Sequence, residues 1–409
     1  MTDTTSTLDA IDLSDHDAFV DHVPHEWFAE LRRNDPVHWN AERDGGLGFW
    51  AVTRYDDIRT VHRDVETYSS ELGGTSLEDL DDEQIKARKS MLDMDPPRHD
   101  ELRGLIARRF TPRAVHVWED QVRTVVNRVL DTALPKGEMD FVHEISSEIP
   151  MQIFAEILGV PQEERREIIE IGDRLLGNQD PEFAVTETAD EHRNLPFSHP
   201  AALEMFEFGR RLAADRRKHP GNDIITQLAF EPLTQQEFDT YFVLLATAGN
   251  ETTRHTITHG LLALLEFPEE MERLRNDPEL GKSAAEEMLR WATPVHHFRR
   301  TAAVDTELAG TQIKAGDKVT TWFVSGNFDE SVFEDPHRFD IGRTPNRHMA
   351  FGPGGIHHCM GAHLAKMEVR ITFEELLKRS ADIELLGPPE RLRSNFFNGI
   401  KRLPVRVTQ

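Results

Sequence analysis

The sequence predicts a mainly α-helical fold with a minor β part, and three observations carry that prediction. Apolar residues recur at helical spacing through the middle of the chain, strand-like runs are confined to its two ends, and no Gly/Ser linker, repeat or low-complexity tract divides its 409 residues. A single domain over residues 1–409 is therefore expected, with residues 1–20, polar and acidic, as a flexible N-terminus. A chain of this size buries roughly 75% of the surface that its unfolded form exposes, enough for a sizeable core.

Taken from the N-terminus, the first strand-like pieces are Pro36-Val37-His38-Trp39 and Gly48-Phe49-Trp50-Ala51-Val52, separated by the turn-prone Asp44-Gly45-Gly46. Helical spacing follows over residues 96–267: Leu102, Leu105, Ile106 and Phe110, then Val122, Val125, Val126 and Val129, then Ile149, Ile153 and Ile157. Within it, Thr234-Gln235-Gln236-Glu237 is a capping box, and no Pro or strong break follows until Phe267, just before Pro268. At about 1.5 Å per residue this central helix is on the order of 50 Å long and crosses the domain.

Its middle, Ala248-Gly249-Asn250-Glu251-Thr252-Thr253-Arg254, is costly for a helix, since glycine loses about 1 kcal/mol and threonine a few tenths. Two readings stand. One is a packing glycine with hydroxyls bonded back to helix carbonyls. The other is a widened helix facing a ligand, with Glu251 and Thr252 placed to move protons. Strand-like runs return after Pro294, as at Asp317-Lys318-Val319-Thr320-Thr321-Trp322, and a clear helix covers residues 362–379.

The 47 Lys and Arg against 73 Asp and Glu give a net charge of −26. That total argues against nucleic acid and anionic membranes as partners, because phosphate surfaces repel such a chain. The N-terminus has neither the basic start nor the apolar run of a secretory signal. The longest uncharged apolar stretch, residues 241–249, is far short of the roughly 20 needed to span a bilayer. The expectation is a cytoplasmic protein without a membrane span.

One cysteine, Cys359, excludes an intrachain disulfide and a cysteine-only metal cluster. It sits in Phe351-Gly352-Pro353-Gly354-Gly355-Ile356-His357-His358-Cys359-Met360-Gly361, immediately before the last helix. Four glycines let the backbone approach a flat ligand, and a sulfur before a helix N-terminus meets N–H groups and a dipole that favour a thiolate. Such a loop presents one anionic sulfur to a metal. The competing readings are a small buried hydrophobe and a zinc site of His357, His358, Cys359 and His363, although adjacent His-His-Cys ligands rarely converge on one tetrahedron.

With these motifs in this order, the chain resembles the cytochrome P-450 family of haem-thiolate monooxygenases along nearly its whole length. The resemblance implies a single-domain haem-thiolate fold whose long central helix lies over haem b (iron protoporphyrin IX). The loop matches the family's haem-binding signature, implying Cys359 as proximal iron ligand with Phe351 and Gly361 beside it. Residues Ala248-Gly249-Asn250-Glu251-Thr252-Thr253 match the oxygen-activation segment, with Ala248 at the cofactor. Glu287-Met288-Leu289-Arg290 matches the Glu-x-x-Arg motif and Pro336-His337-Arg338-Phe339 its usual partner, implying an ion-pair triad of Glu287, Arg290 and Arg338. Asp95-Pro96-Pro97-Arg98-His99-Asp100-Glu101-Leu102-Arg103 resembles the segment whose His and Arg bind a haem propionate.

The implied roles agree with the physics. Two buried haem carboxylates need specific cations in so acidic a chain: His99, Arg103, His357 and Arg300, with Arg299 the competing choice for the last. A thiolate ligand favours O–O cleavage, as an oxygenase needs. Two protons must reach the distal oxygen, with Glu251 as relay and Thr252 as donor or water-holder. The family's commonest spacing puts the loop's Phe seven residues before its Cys, whereas Phe351 lies eight before Cys359. That longer loop, with Gly249-Asn250-Glu251-Thr252-Thr253-Arg254 and the tail Arg391-Leu392-Arg393-Ser394-Asn395-Phe396-Phe397-Asn398-Gly399-Ile400-Lys401, resembles the bacterial branch that hydroxylates steroid side chains, methyl-branched lipids and some terpenoids.

By that analogy the pocket is lined by Leu244, Leu245 and Ala248, by Val295, His296, His297 and Phe298, and by Phe396 and Phe397. The apolar majority implies a hydrophobic small molecule, a terpenoid, steroid or branched lipid, hydroxylated at an unactivated C–H with one oxygen from O2. His296 and His297 are unusual there, and either meet backbone or propionate or recognise a substrate oxygen. Residues 180–198 read as a mobile access lid. No G-x-G-x-x-G follows a strand, so electrons are imported, by the same resemblance from a ferredoxin and its ferredoxin reductase. Arg103, Arg108, Arg109 and Arg113, with Arg347, His363, Lys366 and Arg370, form a basic face for an acidic ferredoxin. A monomer is expected. Two rival classes remain: a peroxide-driven haem enzyme needs no ferredoxin, and a haem sensor or ligand carrier has no use for Glu251 and Thr252.

Overall fold

The computed structural model describes residues 8, 10–42, 45–177, 179–184 and 192–409. Helix α1 (His25–Asn34), strands β1 (Val37–Asn40) and β2 (Phe49–Val52) and helix α2 (Tyr55–Arg63) come first, then β3 (Tyr68–Ser69), α3 (Asp82–Arg88) and α4 (Arg98–Ile106). The middle is helical: α5 (Glu119–Ala133) and, after β4 (Glu138–Asp140), α6 (Glu148–Leu158), α7 (Arg165–Leu176), α8 (Ala201–Lys218), α9 (Ile224–Ala229), α10 (Gln235–Ala248), α11 (Glu251–Glu266), α12 (Pro268–Asn276) and α13 (Gly281–Ala292). Strands β5 (His297–Ala302), β6 (Thr306–Leu308), β7 (Thr311–Ile313) and β8 (Lys318–Trp322) precede α14 (Ala362–Arg379). The chain closes with β9 (Asp382–Leu385), β10 (Glu390–Arg391), β11 (Ile400–Arg402) and β12 (Pro404–Thr408). The mainly helical expectation with a minor β part agrees with this order.

The helical core is built on α11, which packs on α13 and α14, while α14 packs in turn on α5. The valines that set the period of α5, Val122, Val125, Val126 and Val129, are all buried in it. A five-stranded sheet of order β1-β2-β8-β5-β3 stands to one side, with β2 and β8 parallel and the other pairs antiparallel. It is buried on both faces: Phe49, Ala51 and Trp322 pack on Phe28 and Leu31 of α1, and Val52 and Val319 on Ile58 and Val61 of α2.

Three expectations are corrected here. Of the N-terminal stretch expected to be flexible, residues 1–7 and 9 lie outside the described residues, but Ile11, Leu13 and Phe19 are buried against Phe28 and Trp322. These three apolar side chains hold a strap against the sheet despite the acidic residues between them. The central helix is not continuous, because α10 ends at Ala248 and α11 begins at Glu251. A Cβ on Gly249 would stand 2.6 Å from the ring of Phe154 on α6, so the backbone is pressed too close for any other residue at the interruption. Residues 185–191 of the expected lid lie outside the described residues.

The third correction concerns the ion-pair triad. Glu287 and Arg290 on α13 are both 0% exposed and doubly bonded at 2.8 Å. Arg338 is exposed and offers only its carbonyl; the second guanidinium on Glu287 is Arg343, at 3.2 Å, with Asn346 Nδ2 at 3.0 Å. Arg343 lies within a turn whose carbonyls at Glu334, Asp335 and Arg338 accept its remaining N–H groups, which aims it inward. Replacing Glu287 by Ala strands Arg290 uncompensated. The expected cost is about 3–5 kcal/mol, measured as a large fall in Tm by thermal unfolding, whereas Arg338→Ala leaves Tm nearly unchanged.

Candidate functional site

Cys359 is held by its own loop: its N–H donates to the Phe351 carbonyl at 2.8 Å, a span the extra residue does not break. Gly355 allows this path. A Cβ there would stand 2.3 Å from the His62 carbonyl of α2, and its φ is +84°. The Cys359 side chain is accessible, yet the protein around it withdraws it from bulk water, and that burial raises its thiol pKa. The N–H groups of Gly361 and Ala362 at the start of α14 act in the opposite direction. The Phe351 ring lies against His348 and under the Lys366 ammonium, 5.3 Å from its centroid.

Beside this loop four basic side chains converge. His99 on α4 and His357 have ring centroids 4.4 Å apart. Burial, then Arg300, His99 and Arg103, push His357 down to about 2, so it is neutral, and it meets Ser70 Oγ at 3.1 Å. Arg103 donates to the His358 carbonyl at 2.7 Å. Arg300, 2% exposed, donates to the Arg299 carbonyl at 2.7 Å and faces His62 Nδ1 at 3.3 Å; it has no ion pair among the described residues. Burial lowers it to about 10. Arg299 points elsewhere, to the Glu78 carbonyl, and takes no part in the cluster. Among the described residues no three His, Cys, Asp or Glu side chains converge as a metal site: His357 turns to Ser70, and His358 turns back to the Gly352 carbonyl.

The interruption between α10 and α11 separates two cavities. The larger, about 550 Å³, is bounded by Leu244, Ala248 and Thr252 on one side and by Val295, His297 and Phe298 on another. Phe396 and Phe397 of the C-terminal turn complete it. Leu245 and His296, expected on this wall, are not there: Leu245 is buried in the helical core, and His296 turns to Phe19. The period of the helix and the alternation of the strand carry both away from their neighbours' face. Sequence reasoning missed Ser14 and His16 of the N-terminal strap, which line the same cavity, and Ser70 and His62, which contact His357 and Arg300. All four come from distant parts of the chain, and no local pattern marks them.

The smaller cavity, about 300 Å³, is polar, with Asp140, His143, Asp173, Glu182, Lys401 and Arg402 around it. Glu251, Arg254 and His255 face it, while Thr252 faces the larger one, and Leu176 and Phe397 wall both. Arg254 bridges Glu251 and Asp173 of α7, the latter at 2.7 Å. Asn250 Nδ2 donates to Glu251 at 3.2 Å, and the Thr252 hydroxyl donates to the Ala248 carbonyl at 3.0 Å, leaving its lone pairs to accept.

Burial pushes Glu251 up to about 8, with Asp173 adding to it and Arg254 opposing. The folded carboxyl therefore keeps its proton through the range in which an unfolded glutamate, with an ordinary value of 4.5, has released it. Rising pH then favours the unfolded chain across that window. Stability of the native protein relative to Glu251→Gln should decline from about pH 5 to about pH 8 and level beyond. Thermal unfolding of both across pH checks this, and parallel profiles would place the proton elsewhere.

A sequence profile described as Cytochrome P450 matches residues 24–381. Steroid C26-monooxygenase of Mycolicibacterium smegmatis is 38% identical over 404 residues, covering 95% of this chain and 92% of that protein. Methyl-branched lipid omega-hydroxylase of Mycobacterium tuberculosis is 38% identical over 402 residues, again covering 95% and 92%. The solved structure of Mycobacterium marinum cytochrome P450 CYP268A2 in complex with pseudoionone superposes with a TM-score of 0.89 at 36% identity, covering 98% of each chain.

Proposed function

The chain belongs to the cytochrome P450 family and is a haem b monooxygenase, and from that premise we propose that it hydroxylates an unactivated C–H of a terpenoid, steroid or branched lipid with electrons from a ferredoxin. The observation that carries the substrate class is the larger cavity, whose lining includes, with Thr252, the apolar Leu244, Ala248, Val295, Phe298, Phe396 and Phe397. The relatives act on steroids and methyl-branched lipids by name, and the structural neighbour holds pseudoionone. The same reading takes residues 1–409 as one domain, because Phe298 packs on both the helical core and the sheet core. It also takes the protein as a cytoplasmic monomer; no described helix is long and apolar enough to cross a membrane.

The residues present fit the cofactor. Arg300 is a buried guanidinium without a carboxylate partner among the described residues, and it converges with Arg103, His99 and His357 beside the lone cysteine. In this reading that cluster would hold the two propionates, and Cys359 the iron, with Phe351, Gly361 and Ala248 lining the rest of the site. When bound, the haem supplies an iron that takes up electrons and activates O2 under the push of the thiolate. Gly361 and Ala362 aim their N–H groups at the sulfur and temper its charge. Glu251 holds a proton at neutral pH on the side of the polar cavity. Thr252, one residue on, would accept it through water toward the substrate side with its free lone pairs.

The electron-donor face is narrower than sequence alone implies. Arg370 is paired with Glu119 and Glu374, Lys366 with Glu286, and Arg109 is spent on Asn222 and Gln227. Arg108, Arg113 and Arg347 are exposed and have no ion pair among the described residues, so they are the cations left for an acidic ferredoxin.

Three experiments test these assignments. Thr252→Ala is expected to keep haem and substrate binding and to divert most reducing equivalents to hydrogen peroxide; electron-to-product coupling equal to the native enzyme's would remove the threonine from proton transfer. Arg347→Glu should slow ferredoxin-dependent reduction by about tenfold at low salt, less as salt rises. Reduction that is unchanged, or full turnover with hydrogen peroxide alone, would count against the ferredoxin. The substrate class is read from spin-state shifts and products with terpenoids, steroids and branched lipids, and shifts only with small polar or glycosylated ligands would overturn it.

A further inference from the structure

His255 stands one turn after Glu251 on α11, and both side chains are buried. Its Nε2 faces Glu251 Oε2 at 3.6 Å, just beyond a hydrogen bond. The other ring nitrogen is engaged already, because Nδ1 accepts the N–H of Ile400 on β11 at 3.4 Å. Burial, then the charge of Arg254, holds the imidazole well below its ordinary value of 6.5, so the ring is neutral. A neutral imidazole that accepts at Nδ1 carries its one proton on Nε2, the atom turned to the carboxyl. The C-terminal turn backs the ring, and a Cβ on Gly399 would stand 3.2 Å from its Cε1. His259, the next residue of this helix stripe, takes no part, since its Nε2 donates to the Asn398 carbonyl at 2.9 Å.

Three N–H groups thus point at one carboxyl. Asn250 donates to Oε1, and Arg254 donates to Oε2 but is shared with Asp173 on α7. A buried carboxyl that keeps its proton needs few donors, whereas one that has released it needs all of them. Glu251 passes between these conditions when it hands a proton through water toward Thr252 and takes another from the polar cavity. Resting on that reading of Glu251, we propose that His255 is the positioning residue of the relay: its Nε2–H closes on the Glu251 carboxylate as the proton leaves and holds it until the acid is restored. Only the O–H bond of Glu251 breaks and reforms. His255 neither gains nor loses a proton, because its Nδ1 faces a backbone N–H that cannot feed it. A contact that tightens only when charge appears stabilises the ionised state without holding the resting acid.

The test compares the haem-loaded full chain with His255→Leu and His255→Met, which lack the donor, and His255→Gln, whose amide N–H takes the place of Nε2. Each is paired with its own Glu251→Gln form, and thermal unfolding is followed across pH. Asp140, His143, Asp173, Glu182, Lys401 and Arg402 share the cavity, and Arg254, His259 and Arg391 act on the ring. All nine are unchanged within each pair and cancel. A donor favours the carboxylate, so its loss raises the folded acid above about 8. The decline in stability with rising pH then runs on to about pH 9 in His255→Leu and His255→Met, while His255→Gln levels near pH 8 like the native protein. In ferredoxin-supported turnover of pseudoionone, loss of the donor should slow product formation about tenfold and raise its solvent isotope effect, with His255→Gln recovering most of the rate. Profiles of His255→Leu and His255→Met that match the native one, or a loss that His255→Gln does not recover, overturn the proposal alone. Native protein that unfolds in parallel with Glu251→Gln overturns the reading of Glu251 and the role of His255 with it. No product from pseudoionone, even with native enzyme, leaves the unfolding profiles to decide.

Discussion

A carboxylate and a guanidinium withdrawn wholly from water, Glu287 and Arg290, fix the part of the chain on which the site depends. Each ion loses several kcal/mol of hydration, so the pair persists only if almost every donor and lone pair is used. Glu287 accepts from Arg290, Arg343, Asn346 and the Asp340 N–H, while Arg290 also donates to the carbonyls of Asn327 and Pro336. Asn327 in turn receives the N–H of Met349, two residues before Phe351. The pair therefore binds α13, which packs on α11 and α14, to the segment that leads into the cysteine loop.

Around that loop the electrostatics run against the whole-chain charge. A protein of net −26 has gathered Arg103 and Arg300 in one place, beside His99 and the neutral His357, without a carboxylate that pairs with Arg300 among the described residues. Isolated burial of a guanidinium is unfavourable unless an anion arrives. In the proposed reading the two haem propionates would satisfy that requirement. On the outer face the opposite has happened: Arg370, Lys366 and Arg109 are consumed by internal partners, which leaves a few cations to act.

The interruption at Gly249 and Asn250 is where packing and chemistry meet. Phe154 presses on the backbone and demands glycine, Thr252 returns its hydroxyl to Ala248, and the same turn sends consecutive side chains into different cavities. The packing and ligand-facing readings of this segment are thus not rivals. A tightly packed break is what puts an acid on the smaller, polar cavity and, one residue on, a hydroxyl on the larger one.

The sequence by itself determined what depends on short-range spacing: the periods of α5 and α6, the capping box that starts α10, the strands at 37–40 and 49–52, and a glycine-rich loop that delivers one cysteine to the N-terminus of α14. Only the tertiary structure decided the pairings between distant segments. Arg343 rather than Arg338 meets Glu287, Arg300 rather than Arg299 joins the basic cluster, Leu245 and His296 leave the cavity, and a strap at Ile11, Leu13 and Phe19 is ordered by the sheet beneath it. Neighbours in sequence such as Arg299 and Arg300 carry the same chemistry, and a strand's alternation points them to opposite faces. Which face meets the site is set by the partner strands and loops, which no local pattern specifies.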